Sequence, residues 1–190
     1  MTRAGTTRRP VPAGDGRRRK GDARRRQLRE ATIAVISRGG VAAVTQRAVA
    51  AEARLTPSLV SYHFPTVDDL LSATLAGVND SYVAALERCA RAADPVAALA
   101  ELVATSARGH AVDAEYELFL QAGRRPALRA EWARWTGALD ALLAPVVPDA
   151  RRRAGVGAAV DGLFLRCWCD PVPWGAADVE AVLRPLLTAG

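Results

Sequence analysis

The chain has 190 residues, half of them hydrophobic, a net charge of +6 and a mean hydropathy of +0.02. That is enough apolar material for one generous domain or two small ones, and it excludes overall disorder. No apolar run approaches the roughly 18–20 residues of a membrane span, and no apolar segment follows the N-terminal arginines as a secretory signal requires, so a cytoplasmic protein without a membrane partner is expected.

Charge is concentrated at one end. Ten basic side chains against Asp15 and Asp22 give residues 1–26 a net of +8, which leaves −2 for the rest. Such asymmetry points to a polyanionic partner, nucleic acid first. Residues 1–20 show no apolar periodicity and read as a disordered basic arm, with order beginning near Asp22. Leu28, Ala31, Thr32, Val35 and Ile36 then recur at helical spacing until Gly39-Gly40 stops the helix. Thr45 is placed to cap a second, short helix that carries Val49, Ala50 and Ala53 inward. A tight break at Arg54-Leu55 leads to Thr56-Pro57, a cap followed by a first-turn proline, and a third short helix runs to about Phe64 before Pro65. The Thr66-x-x-Asp69 pair forms a capping box at the start of a long fourth helix with Leu71, Leu75, Val78, Tyr82 and Leu86 on one face.

Asp94-Pro95 starts the next helix, with Leu99, Leu102 and Val103 inward. A shorter element spans about 114–122. Pro126 opens another, with the stripe Leu128, Trp132, Trp135, Leu139 and Leu142. Residues 149–169 form a helix, and a last one holds Val179, Val182, Leu183, Leu186 and Leu187, bent near Pro185. The fold class is therefore all-α, about nine helices: a helix-turn-helix unit at 21–65 and a helical unit at 66–190.

Chemistry narrows the functional classes. Cys89, Cys167 and Cys169 make neither a disulfide framework nor the ligand spacing of a zinc site, so no metal and no cofactor are expected. No nucleophile–base set, carboxylate pair or phosphate loop is visible, and no catalytic residues are assigned. The stretch 45–64 has the helix, turn and second helix of a DNA-reading motif. Val49, Ala50, Ala53, Leu55, Val60 and Phe64 fix the angle between its helices. Pro57, Ser58, Leu59, Ser61, Tyr62 and His63 lie on the outer side, where hydroxyls, an aromatic ring and an imidazole suit phosphates and base edges. The helix starts at Thr45 and Thr56 offer backbone amides to phosphate. An architectural DNA-binding protein that senses nothing would fit the same pattern.

Residues about 24–71 resemble the DNA-binding domain of the TetR family of bacterial regulators. The resemblance is carried by Leu28, Ala31, Val35, Ile36 and Gly40, by Thr45, Arg47, Val49 and Ala50, and by Tyr62-His63-Phe64 with Leu70-Leu71. It implies that Gln46 and Arg47 meet the backbone or a base, that Pro57, Ser58 and Leu59 face base edges, and that Tyr62 and His63 hold phosphates. Three positions depart from the family pattern: Arg54 replaces the usual Gly, Ser61 an aromatic, and Val67 a phosphate-gripping Lys. The resemblance further implies a homodimer paired through the last two helices, with Val160, Leu163, Phe164, Cys167, Trp168, Val179, Val182, Leu183 and Leu186 at the interface. It implies a repressor released from a palindromic double-stranded operator when a small-molecule effector moves the fourth helix. The effector, largely apolar or aromatic, would lie among Tyr116, Phe119, Gln121, Trp132, Trp135 and Leu139, though both tryptophans also fit simple packing. Glu115, Glu117, Arg124 and Arg125 could tune the charge selectivity of such a pocket but read first as solvated surface, and His110 reads as a surface or satisfied histidine.

Overall fold

The computed structural model describes residues 13–109 and 111–188; residues 1–12 of the expected arm, and His110, lie outside them. Among the described residues there are nine α-helices and no strand: α1 (Ala13–Gly39), α2 (Gln46–Glu52), α3 (Pro57–His63), α4 (Val67–Ala90), α5 (Pro95–Ser106), α6 (Val112–Leu120), α7 (Arg129–Leu143), α8 (Ala150–Cys169) and α9 (Ala176–Thr188). Single 3₁₀ turns sit at Val41–Ala43, Gln121–Gly123 and Pro126–Leu128. None of these helices is long and apolar enough to cross a membrane.

The caps expected from sequence set most of the boundaries. Thr45 accepts from the Ala48 N–H at 3.0 Å, and Asp94 accepts from Val96 and Ala97 at the start of α5. Thr66 and Asp69 form a reciprocal capping box. Thr56 occupies the cap position of α3, but its hydroxyl pairs with Ser58 Oγ instead of a backbone amide. The start of α1 differs from expectation. Residues 13–20 continue the helix instead of belonging to a disordered arm. Arginine is a good helix former, and a helix projecting from the core has no apolar period to display.

Two apolar clusters hold the chain. The first joins α1, α2, α3 and the start of α4 around Leu28, Ile36, Val49, Val60, Phe64, Leu70, Leu71 and Leu75. The second joins α5, α7, α8, α9 and the end of α4 around Leu86, Leu99, Val103, Leu139, Val160, Leu163, Val179 and Leu183. Each fully buried leucine or valine contributes about 1.5–3 kcal/mol of transfer free energy. The boundary expected at residue 65 is crossed by α6: Ala114, Leu118 and Ala122 sit in the first cluster, while Tyr116 packs on the second. Phe119 touches both. Two elements, α4 and α6, therefore bridge the clusters, where sequence reasoning gave that role to α4 alone.

Candidate functional site

The helix-turn-helix is built as its apolar frame requires. Val49, Ala50, Ala53, Val60 and Phe64 are buried and Leu55 packs against them. The turn runs through Arg54, whose φ of 54° lies in the left-handed region, so this position has the backbone a glycine would take more easily. Tyr62 is 80% exposed, a large aromatic ring held out into solvent on α3, with the His63 ring edge-on at 5.1 Å. Thr45, Arg47, Thr56, Pro57 and Ser58 are exposed beside it, while Leu59 and His63 are half-buried. The structure uses Gln46 and Ser61 internally. Gln46 Nε2 donates to the carbonyls of Phe64 (3.1 Å) and Pro65 (2.9 Å), and Ser61 Oγ donates to Gln46 Oε1 at 2.6 Å. Their hydrogen-bonding groups clamp the start of α2 to the end of α3, so they position the reading helix from behind. Ser61 in place of an aromatic supplies that clamp. Val67, in place of a lysine, packs on the first cluster.

Basic charge reaches this face from α1. The Arg25 guanidinium lies 5.1 Å over the Phe64 ring. Partial burial, and then the nearby Arg25 and Arg24, lower the pKa of His63 below its ordinary value. The lowered pKa favours a neutral His63 that offers a hydrogen bond without a charge, and Arg24 and Arg25 of α1 add cations to Arg47 of α2.

A cavity of about 190 Å³ opens between α4, α6, α7 and α8. Tyr116, Phe119, Trp132 and Trp135 line it, as expected, together with Tyr82, Phe164, Leu120, Leu165, Glu115 and Asp161. Its aromatic walls meet edge to face: Phe119 with Trp132 at 5.8 Å, Tyr82 with Trp135 at 5.8 Å, and Trp135 with Phe164 at 5.8 Å. Exposed Leu120, Trp132 and Leu165 mark the mouth. Two expected lining residues are placed elsewhere. Leu139, one turn beyond Trp135 on α7, is buried in the second cluster beside Gly157 of α8, and Gln121 lies in the turn after α6, accepting from Arg125 Nε.

Two carboxyl groups give the cavity its polar chemistry: Glu115, expected first as solvated surface and otherwise as a charge-selecting group, and Asp161, which was not expected there. Glu115 Oε2 accepts from the Tyr82 hydroxyl at 3.0 Å, and Asp161 Oδ1 accepts from Trp135 Nε1 at 2.9 Å. Burial raises the pKa of both carboxyl groups, and each of these hydrogen bonds opposes part of that rise. Among the described residues, neither carboxylate has a salt-bridge partner. The cavity thus combines two partly buried carboxyl groups with an aromatic wall.

The helices expected to pair subunits need a correction. Val160, Leu163, Phe164, Val179 and Leu183 are buried within the chain, because they close the second cluster against α5 and α7. Cys167 is half-buried against the same cluster. Only Trp168, Val182 and Leu186 of that set are exposed. Trp168 stacks on Tyr116 at 5.1 Å and donates to Asp113 at 2.7 Å.

Comparison with known sequences decides the family. Residues 28–74 match the profile described as "Bacterial regulatory proteins, tetR family", and residues 90–189 match that of the "Tetracyclin repressor-like, C-terminal domain". The chain belongs to the TetR family. It is a helix-turn-helix transcriptional regulator, and the two matched regions correspond to its DNA-binding and C-terminal parts. The regulator BetI of Burkholderia thailandensis is 31% identical over 175 residues, 85% of this chain and 88% of its own length. BetI of Paraburkholderia phymatum is 30% identical over 177 residues, covering 86% of this chain and 89% of its own. Among solved structures, the multidrug binding protein EbrR complexed with malachite green superposes with a TM-score of 0.74 at 33% identity, covering 86% of this chain and 98% of EbrR. A TetR-family member from Streptomyces coelicolor gives a TM-score of 0.77 at 33% identity over 86% of this chain and 98% of its own.

Proposed function

We propose that the chain is a repressor that binds a palindromic operator as a homodimer and is released when a small organic cation with apolar or aromatic groups enters the cavity between α4, α6, α7 and α8. The observation that carries this reading is the pairing of Glu115 and Asp161 with an aromatic wall and, among the described residues, no salt-bridge partner for either. A guest cation supplies the missing charge, and each ring face it meets adds about 0.5–2 kcal/mol. The expected apolar or aromatic guest thus acquires a positive charge. EbrR is a multidrug binding protein seen with ethidium and with malachite green, which supports a guest of this kind. In the operator complex, exposed Tyr62, Arg47, Ser58 and Pro57 face DNA, while Arg24 and Arg25 contribute phosphate charge beside them. Pairing uses Trp168, Val182 and Leu186.

The test is a gel shift with the DNA upstream of the chain's own coding sequence. Benzyltrimethylammonium serves as the cation, and neopentylbenzene, which has carbon in place of nitrogen, as its uncharged isostere. Sequence-specific binding relieved by the ammonium supports the proposal. Binding without sequence preference and indifferent to either compound identifies an architectural protein instead.

A further inference from the structure

The cavity and the DNA-reading unit are joined by one polar contact that neither the cavity nor the recognition helix needs for its own sake. Helix α6 presents Glu115, Tyr116, Phe119 and Leu120 to the cavity. Glu117 lies between them in sequence and points the other way. Its Oε1 accepts the Val41 N–H at 2.6 Å, across 76 positions of sequence. Val41 opens the single 3₁₀ turn linking α1 to α2, and the residue in its cap position, Gly40, has no side chain to cap it. Glu117 therefore acts as the N-cap of that turn from another helix, placing a carboxylate where a helix start favours negative charge.

The fit is close on both sides. Gly40 has φ of 73°, and a Cβ there would lie 3.0 Å from Glu117 Oε1. Val41 is buried, and on the same helix Leu118 and Ala114 pack into the first cluster. A rotation or slide of α6 that re-aims Tyr116 and Phe119 must also carry the Glu117 carboxylate, and with it the α1–α2 junction that sets α2 and the reading helix α3.

We infer that Glu117 is a positioning residue that couples the cavity to the DNA-reading unit, its carboxylate tying the movement of α6 to the Gly40–Val41 junction. The inference rests on the effector reading above for its purpose, but it can be tested without an effector. All four tryptophans, Trp132, Trp135, Trp168 and Trp174, lie outside α1–α3. Coupling is reciprocal, so operator DNA arriving at α3 must be sensed at the cavity wall.

The experiment records tryptophan emission of the full chain while operator DNA is added, with DNA binding followed by anisotropy on the same samples. The wild type is expected to change its emission on binding. E117A is expected to lose that change while still binding DNA. E117Q, which keeps an acceptor oxygen for Val41, is expected to retain it. G40A displaces the carboxylate from the opposite side and carries the same expectation as E117A, which covers the case in which E117A does not fold. An E117A or G40A chain that responds as the wild type does, or a wild type that binds operator with no emission change, overturns the inference. Failure of benzyltrimethylammonium to release operator from a wild type that does respond sinks the effector reading and leaves the coupling role standing.

Discussion

Replacing Asp161 with asparagine removes charge from the cavity wall and little else. Asparagine keeps an oxygen for Trp135 Nε1, which donates to Asp161 Oδ1 at 2.9 Å, and it matches the carboxylate in size. A cation centred about 5 Å from a carboxylate, at an effective dielectric of about 20, gains about 3 kcal/mol. The mouth of the cavity is open, with Leu120 73% exposed, so water screens part of this. Halving the figure leaves about 1.5 kcal/mol, or about a tenfold loss of cation affinity in D161N. Titration calorimetry with benzyltrimethylammonium and neopentylbenzene measures it. The variant should lose about tenfold for the ammonium and almost nothing for the hydrocarbon. Equal losses for both compounds would mean that Asp161 acts through shape, and no loss for either would remove it from recognition.

Five further outcomes can be measured. Burial raises the pKa of Glu115 and Asp161, so ammonium affinity should keep climbing as pH rises above the ordinary carboxylate range and both ionise, while neopentylbenzene affinity stays flat. The sign for stability is opposite: raised folded-state values mean that the free protein loses stability as pH rises through that range, which thermal melts at several pH values will read. Arg54→Gly relieves a left-handed residue at φ 54° and should raise stability by about 0.5–1 kcal/mol after glycine's extra chain entropy, seen as a higher Tm. Deleting residues 1–20 removes seven basic side chains and should weaken operator binding and flatten its dependence on salt, measured by anisotropy across an ionic-strength series. Leu186→Glu charges an exposed apolar position on α9 and should yield monomers by light scattering, with operator affinity lost in proportion.

What the sequence revealed, and what it hid, follows from the range of each signal. Local chemistry was legible: the Thr66–Asp69 box, the Asp94 and Thr45 caps, the break at Arg54 and the buried frame from Val49 to Phe64 are all written within a few residues of where they act. Four aromatic walls of the cavity were legible for a similar reason, since they share two short stretches. Tyr82, Phe164 and Asp161 were not, because α4 and α8 bring them in from distant sequence and their own stripes read as packing. Glu115 and Glu117 looked alike as surface charges. They sit two residues apart on α6, about 200° around the helix, and so face different neighbours. Only the packing of α6 between the two clusters shows that one lines the cavity and the other caps Val41. The pairing face was overstated because periodicity marks apolar residues without saying whether the chain itself already covers them.

The proposed function requires operator and organic cation to compete through one protein. The direct measurement is a thermodynamic cycle: operator affinity with and without saturating benzyltrimethylammonium, and ammonium affinity with and without operator. Each ligand is expected to weaken the other by the same factor, and neopentylbenzene at equal occupancy is expected to have a smaller effect. Operator affinity unchanged by a cation shown to occupy the cavity would contradict it.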